Sequence, residues 1–248
     1  MDDLIFRGII IKQSNYGDAH RMLTIFTESD GIIKAVRYGV RGKKTSNAAA
    51  FQLLCYGDFK LRPSRGDIMT ASSADILDGF YPVSEDIVKL SLLSYLADIT
   101  YVMLGEANPD RRILSLFLNT VYAAAYLKEP YLKLKTVYEL KLMCAVGFMP
   151  RLGGCGVCGE KANYFSPDGG CMVCRAHRNA DAVKISAAAA AIMRHIMSCP
   201  DKKMLAFSVK DEAYYNELST VTEKYVSAQA DKEFASLSYF KAIINDLH

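Results

Sequence analysis

Through the first eighty positions, apolar and β-branched residues come in runs too short for helices, each closed by a turn signal. The runs are Phe6–Lys12, Arg21–Thr27 and Gly31–Tyr38, with Tyr16-Gly17-Asp18 and Asp30-Gly31 as the turns between them. Asp-Gly between two such runs is a hairpin signal. A fourth run spans 51–62, closed by Pro63-Ser64-Arg65-Gly66. A fifth spans 67–77, weakened by Ala71-Ser72-Ser73-Ala74. Five short strands with tight turns predict a small barrel, and the five-stranded OB-fold is the obvious candidate, with single-stranded nucleic acids as its usual ligands.

From Ser84 the period changes to that of a helix, with apolar residues at Ile87, Leu90, Leu93, Leu96, Ile99 and Val102. Ser84 is the expected cap, with Glu85 and Asp86 suited to the first turn. Asn108-Pro109 predicts a second helix over about 109–127, and Glu129-Pro130 a third, ended at Gly147. Ser186 caps a helix over Ala187–Ser198, and the tail reads helical at about 210–227 and 232–247. The predicted class is therefore α+β in two domains. Residues 1–80 form an OB-fold barrel and 81–248 a helical domain, with a cysteine-rich module inserted at about 150–180.

Net charge is only +3, but it is unevenly placed. Residues 32–66 hold eight basic side chains against one acid, Asp58. Such a footprint suits a polyanion, although a rim of solvated cations that binds nothing gives the same count. Apolar runs are broken by Lys, Asp or Glu before the ~20 residues of a membrane span. The opening Met1-Asp2-Asp3 lacks the basic start of a secretion signal, so a cytoplasmic location is expected, where thiols stay reduced.

Four of the seven cysteines lie within residues 155–174, as Cys155-x2-Cys158 and Cys171-x2-Cys174. Disulfides, redox dithiols and metal ligands all use such pairs. An odd total disfavours a disulfide framework, and a redox CxxC needs a helix N-terminus rather than glycine-rich turns. Two knuckles twelve residues apart are zinc-ribbon spacing, so the expectation is one structural Zn2+ held by Cys155, Cys158, Cys171 and Cys174. Four thiolates leave no open position for catalysis. His177 reads as a surface residue beside the knuckle, with replacement of one Cys as the alternative. Cys55, Cys144 and Cys199 read as small core residues.

No P-loop, GxGxxG, HExxH or nucleophile motif occurs, which favours a binding protein over an enzyme. At this point one family resemblance enters. Gly8-Ile9-Ile10-Ile11-Lys12 through Asp30-Gly31 resembles the opening of the bacterial recombination mediator family RecO. So does the basic loop Gly39-Val40-Arg41-Gly42-Lys43-Lys44-Thr45-Ser46, and so does Tyr138 to Pro150 leading into the CxxC pairs. The resemblance spans nearly the whole chain, in order. It implies an ATP-independent mediator of DNA repair and recombination, without enzymatic activity. Such a protein binds single- and double-stranded DNA, anneals complementary strands, and works with RecR to help RecA replace single-strand-binding protein (SSB), whose acidic tail it contacts. It implies a cytoplasmic, nucleoid-associated protein and no membrane partner.

On that reading Arg41, Lys43 and Lys44 contact phosphates, and Lys34, Arg37, Arg62 and Arg65 extend the track. Tyr38, Phe51 and Phe59 are candidates for stacking on bases, against a core role for each. Lys133, Lys135 and Lys141 are candidates for the rim of an SSB-tail groove. The alternatives are an OB-fold and zinc-ribbon protein that binds RNA, or an adaptor subunit whose basic loop binds an acidic protein.

Overall fold

The computed structural model describes residues 3–39, 48–64, 68–209 and 211–246. The five expected strands are β1 (Leu4–Tyr16), β2 (His20–Thr27), β3 (Gly31–Arg37), β4 (Tyr56–Pro63) and β5 (Ile68–Asp78). They close into a barrel in the order β1-β2-β3-β5-β4. Neighbours are antiparallel except β3 and β5, which run parallel. β1 serves two partners: Leu4–Ile9 pairs with β4, and Gly8 onward with β2. The two pairings overlap at Gly8 and Ile9, and an irregularity between Ile10 and Lys12 follows, where β1 pairs with β2 alone. A bulge there increases the local twist, which is how a strand turns a barrel corner.

Phe6, Ile10, Leu23, Ile25, Phe59 and Leu61 fill the interior. The weak-looking Ala71–Ala74 stretch is a full strand because Ala74 lies opposite Phe59 and Ala71 opposite Leu61. Small residues there make room for Phe59 and Leu61, the buried apolar side chains of β4, and a bulkier strand would overfill a barrel this narrow. The fourth strand begins later than its apolar run, at Tyr56, because Ala48–Phe51 forms a 3-10 turn whose Phe51 is core.

The helices are α1 (Tyr81–Ser84), α2 (Ile87–Leu104), α3 (Arg111–Tyr126), α4 (Tyr131–Ala145), α5 (Ala187–Ser198), α6 (Ala213–Ala230) and α7 (Ala235–Asp246). Between α4 and α5 lies a small sheet of β6 (Tyr164–Ser166), β7 (Cys171–Val173) and β8 (Val183–Lys184), with β6 in the middle. α2 is capped by Asp86, not Ser84: the Asp86 carboxylate accepts from the N–H groups of Val88 and Lys89 at 2.9 and 3.1 Å. Asp110, not Asn108, caps α3 in the same way. In both cases a carboxylate placed directly before the first turn reaches two orphan donors. α2 is also long and apolar enough to cross a membrane, but half of it is buried in the protein.

By packing, the chain divides into two compact units, Met1–Leu127 with Ser236–His248, and Lys128–Ala235. In the first unit α1–α3 accompany the barrel, so the packing division lies some fifty residues beyond the boundary at 80 that periodicity marks. The β2–β3 hairpin shows why these elements associate. Gly31, at φ +69°, turns the hairpin while its α-carbon abuts the backbone of Asn108; an added Cβ would lie 2.5 Å from the Asn108 nitrogen. The N–H of Ala107 donates to the Ile32 carbonyl at 3.2 Å. Gly31→Ala is therefore expected to lower stability by about 1–3 kcal/mol, through left-handed strain and the clash together. A thermal melt of the variant matching that of the parent would contradict this.

In the second unit α4 is surrounded, and every residue from Lys133 to Met143 is buried. This corrects the expectation for Lys133, Lys135 and Lys141, which are not surface cations. Lys133 meets Glu129 at 2.6 Å and the carbonyls of Leu205 and Phe207. Lys135 meets Glu139 at 2.9 Å and Glu223 at 3.4 Å. Lys141 meets Asp201 at 3.2 Å and the Cys199 carbonyl. A lysine on a central helix is retained only when such partners replace its water.

Candidate functional site

Two places combine donors with exposure. The first is a corner of the barrel. The register pairs Arg21 with Arg37, so two guanidinium-bearing residues stand directly opposite each other across β2 and β3. Arg37 donates to the carbonyls of Ala71 and Ser72 at 3.2 and 2.6 Å and lies over the Phe51 ring at 4.7 Å. Arg21 donates to the Gln13 amide oxygen at 3.1 Å. Neither forms an ion pair among the described residues. Like charges held this close raise the local potential rather than cancelling it. One residue further on, the His20 and Tyr38 rings meet edge to face at 4.7 Å, and the Gly39 N–H donates to His20 Nδ1 at 3.3 Å. Tyr38 is 48% exposed, whereas Phe51 and Phe59 are buried in the core at 4% and 0%. Of the three aromatic candidates, only Tyr38 has a face free for a base.

The rest of the expected basic track divides. Lys34 is paired with Glu106, and Arg62 with Asp3 at 3.0 Å. Lys60 lies 3.4 Å from Asp75. These pairs offset charge that a count along the chain leaves free, because their acids come from distant positions. All are solvent-exposed pairs and so individually weak. Arg41, Lys43, Lys44 and Arg65 lie outside the described residues. Arg21 and His20 are additions that the charge count over 32–66 misses. The signal that points to them is the hairpin itself, since a turn centred on residues 28–30 sets 21 opposite 37.

The second place is the cysteine module. Donor atoms of Cys155, Cys158, Cys174 and His177 all lie within 4.8 Å of one another. Cys158 Sγ is 3.9 Å from Cys174 Sγ, and His177 Nδ1 is 3.3 Å from Cys174 Sγ and 3.7 Å from Cys155 Sγ. Around a tetrahedral zinc, sulfurs sit ~3.8 Å apart and a sulfur and an imidazole nitrogen ~3.6 Å apart, from bond lengths of about 2.3 and 2.0–2.1 Å. The donor set thus fits such an ion.

Cys171 is not in this group, which corrects the ligand set expected from spacing. It lies in β7, opposite Ser166, as part of an extended strand. β7 ends at Val173, so Cys171 is held in the β6–β7 pairing while Cys174 lies beyond the strand, with the donors of Cys155, Cys158 and His177. Residues 174–177 do turn: the His177 N–H donates to the Cys174 carbonyl at 3.1 Å. The first knuckle is closed likewise, by the Gly159 N–H on the Cys155 carbonyl at 2.8 Å, with Gly159 at φ +76°. Cys171 Sγ instead packs beneath that knuckle, 2.7 Å from where a Cβ on Gly156 would stand. The Cys174-x2-His177 spacing is visible in the sequence, but the second CxxC overlaps it.

The site is electrostatically prepared for a cation. N–H groups of Cys158 and Cys174 stabilise the Cys155 thiolate and lower its pKa to about 6. Burial raises the Cys174 thiol, but hydrogen bonds from the backbone and ring of His177 outweigh this and the net shift is downward. The His177 imidazole is raised by the thiols of Cys174 and Cys155. Helix α6 holds the module from behind: Tyr225 donates to the Phe148 carbonyl at 2.9 Å, and Gln229 to the carbonyls of Pro167 and Asp168.

Residues 1–80 match the family model described as Recombination protein O N terminal, and residues 84–238 match the one described as Recombination protein O C terminal. The chain belongs to the RecO family. Among relatives named DNA repair protein RecO, that of Acetivibrio thermocellus is 31% identical over 98% of both chains. That of Alkaliphilus metalliredigens is 26% identical over 95% of this chain and 98% of its own. That of Oceanobacillus iheyensis is 32% identical over 72% of this chain and 70% of its own. The two RecO family models meet at residues 80–84, the point where the hydrophobic period changes from strand to helix.

Proposed function

We propose that this protein is a DNA repair and recombination mediator with no catalytic chemistry of its own. On this reading it binds single- and double-stranded DNA, anneals complementary strands without ATP, and with RecR helps RecA displace SSB, whose acidic tail it contacts. It would act in the cytoplasm, on the nucleoid. The observation that carries the reading is a five-stranded OB barrel with Arg21, Arg37 and an exposed Tyr38 at one corner, in a chain of the RecO family. Annealing needs strands held by their phosphates with bases free to search, and phosphate contacts are independent of sequence and sensitive to salt. Arg41, Lys43 and Lys44, which follow Tyr38 in the chain, extend the same contact, with Arg65 as a further cation.

The metal in this reading is one Zn2+ per chain, held by Cys155, Cys158, Cys174 and His177. Its role is structural, because four protein donors complete a tetrahedral shell. Clamping the 155–158 knuckle to the 174–177 turn supplements the small cluster of Cys155, Cys171 and Val173 that is the module's own core.

The test is annealing of complementary strands, bare and SSB-coated, across a salt series without ATP. Acceleration that fades with salt and persists on coated strands is the expected result. Arg21→Ala with Tyr38→Ala should weaken single-strand binding by roughly 1–3 kcal/mol, the value of one base stack, plus one phosphate contact. No acceleration by folded, metal-replete protein would overturn the annealing function. A preference for structured RNA would favour the RNA-binding alternative.

A further inference from the structure

Most described basic residues of the barrel and of α4 come with acids: Arg7 with Asp58, Lys34 with Glu106, Lys60 with Asp75, Arg62 with Asp3 and Lys135 with Glu139. The metal module departs from this. Lys161, Arg175, Arg178 and Lys184 are all exposed. None has an ion pair among the described residues, although Glu160, Asp168 and Asp181 belong to the same segment. Isolated lysines on helix surfaces are common and carry no such meaning; here two of the four cations, Arg178 and Lys184, stand beside one aromatic ring, Tyr164.

Three of them are positioned by rigid features. Lys184 on β8 lies directly opposite Tyr164 on β6, so both side chains leave the same face of the sheet. The Arg178 guanidinium lies over the Tyr164 ring, 4.9 Å from its centroid. Tyr164 itself packs against the cluster of Cys155, Cys171 and Val173, which fixes the ring. Arg175 stands inside the 174–177 turn, between two metal-binding residues. A guanidinium held over an aromatic face by its central carbon leaves N–H groups at its edges with which to bind a phosphate. Side chains already ordered lose little entropy on binding.

We propose that Arg178 and Lys184 beside Tyr164, together with Arg175 in the 174–177 turn, form a second contact for single-stranded DNA, built on the cysteine module. This rests on the reading of the protein as DNA-binding and adds a site to it. Cations interleaved with an aromatic ring suit a chain of regularly spaced phosphates and bases, whereas capture of an acidic peptide would draw on charge alone.

The experiment measures binding of the full-length protein to an oligothymidylate across a salt series, for the parent and for R175A/R178A/K184A. The slope of log K against log salt is expected to fall in magnitude by about 2, since each single-strand phosphate that is no longer neutralised takes away ~0.7. R175A/K184A keeps the Arg178–Tyr164 stack and guards against a folding defect; its slope should fall by about 1.4. Parent protein that binds DNA, with variants of unchanged slope, overturns the second contact and leaves the DNA-binding reading standing. Parent protein that binds no DNA at any salt overturns both. Variants that bind an acidic peptide more weakly yet keep the DNA slope assign the surface to a protein partner and overturn the proposal.

Discussion

His177→Ala is expected to abolish stoichiometric metal binding, while Cys171→Ser leaves it intact. His177 Nδ1 sits within contact distance of two thiols, whereas Cys171 Sγ lies under the Gly156 backbone and outside the convergent group. Structural zinc contributes on the order of 10 kcal/mol to small metal-dependent folds, so losing a ligand should unfold the module rather than soften it. Native mass spectrometry on protein purified with zinc reads the occupancy directly. His177→Cys should restore binding, because it rebuilds a four-donor shell at the same turn. Retention of metal by His177→Ala together with its loss in Cys171→Ser would return the ligand set to the four cysteines. A chelator should act on the parent as His177→Ala does, lowering solubility and melting temperature.

Lys135→Met is expected to destabilise the protein by about 3–5 kcal/mol, the cost of leaving a buried partner charge uncompensated. Lys135 and Glu139 are both fully buried, and Glu139 also accepts from the Thr222 hydroxyl at 2.6 Å. Removing the ammonium leaves the Glu139 carboxylate with hydroxyl contact but without its nearest cation. For a chain of this size that corresponds to a drop of roughly 10 °C in melting temperature. The double change Lys135→Met with Glu139→Gln should recover much of the stability, since the amide keeps the Thr222 contact and carries no charge. Equal melting of Lys135→Met and parent would show that the pair is dispensable. α4 packs against α6 in this unit, and Lys135 also donates to the Ser219 carbonyl on α6 at 3.2 Å.

The metal ligands and the buried lysine mark where local sequence stops deciding structure. Hydrophobic period 2 followed by period 3.6 is a local property, so the five barrel strands and the order of helices can be read directly. The cysteine pattern is equally local, and its spacing points to a segment whose donors could converge on a metal. Ligand identity is not local. Whether residue 171 or 177 turns towards the ion depends on β7 pairing with β6, which keeps Cys171 extended and places the turn after Cys174.

Charge behaves in the same way. Counting side chains places a strong positive field on residues 32–66, but Lys34 and Arg62 meet Glu106 and Asp3, acids far away in sequence. The lysines of α4 escape a surface assignment for a related reason. Spacing reports which side of a helix is apolar only when one side faces water, and α4 is enclosed on all sides. Composition and period thus determined the barrel, the helices, the inserted cysteine-rich module and, with the family resemblance, the kind of protein this is. Which cations remain free, which donors converge and which lysines are buried were settled by pairing between residues remote in sequence, because ion pairs and metal shells depend on distance in space.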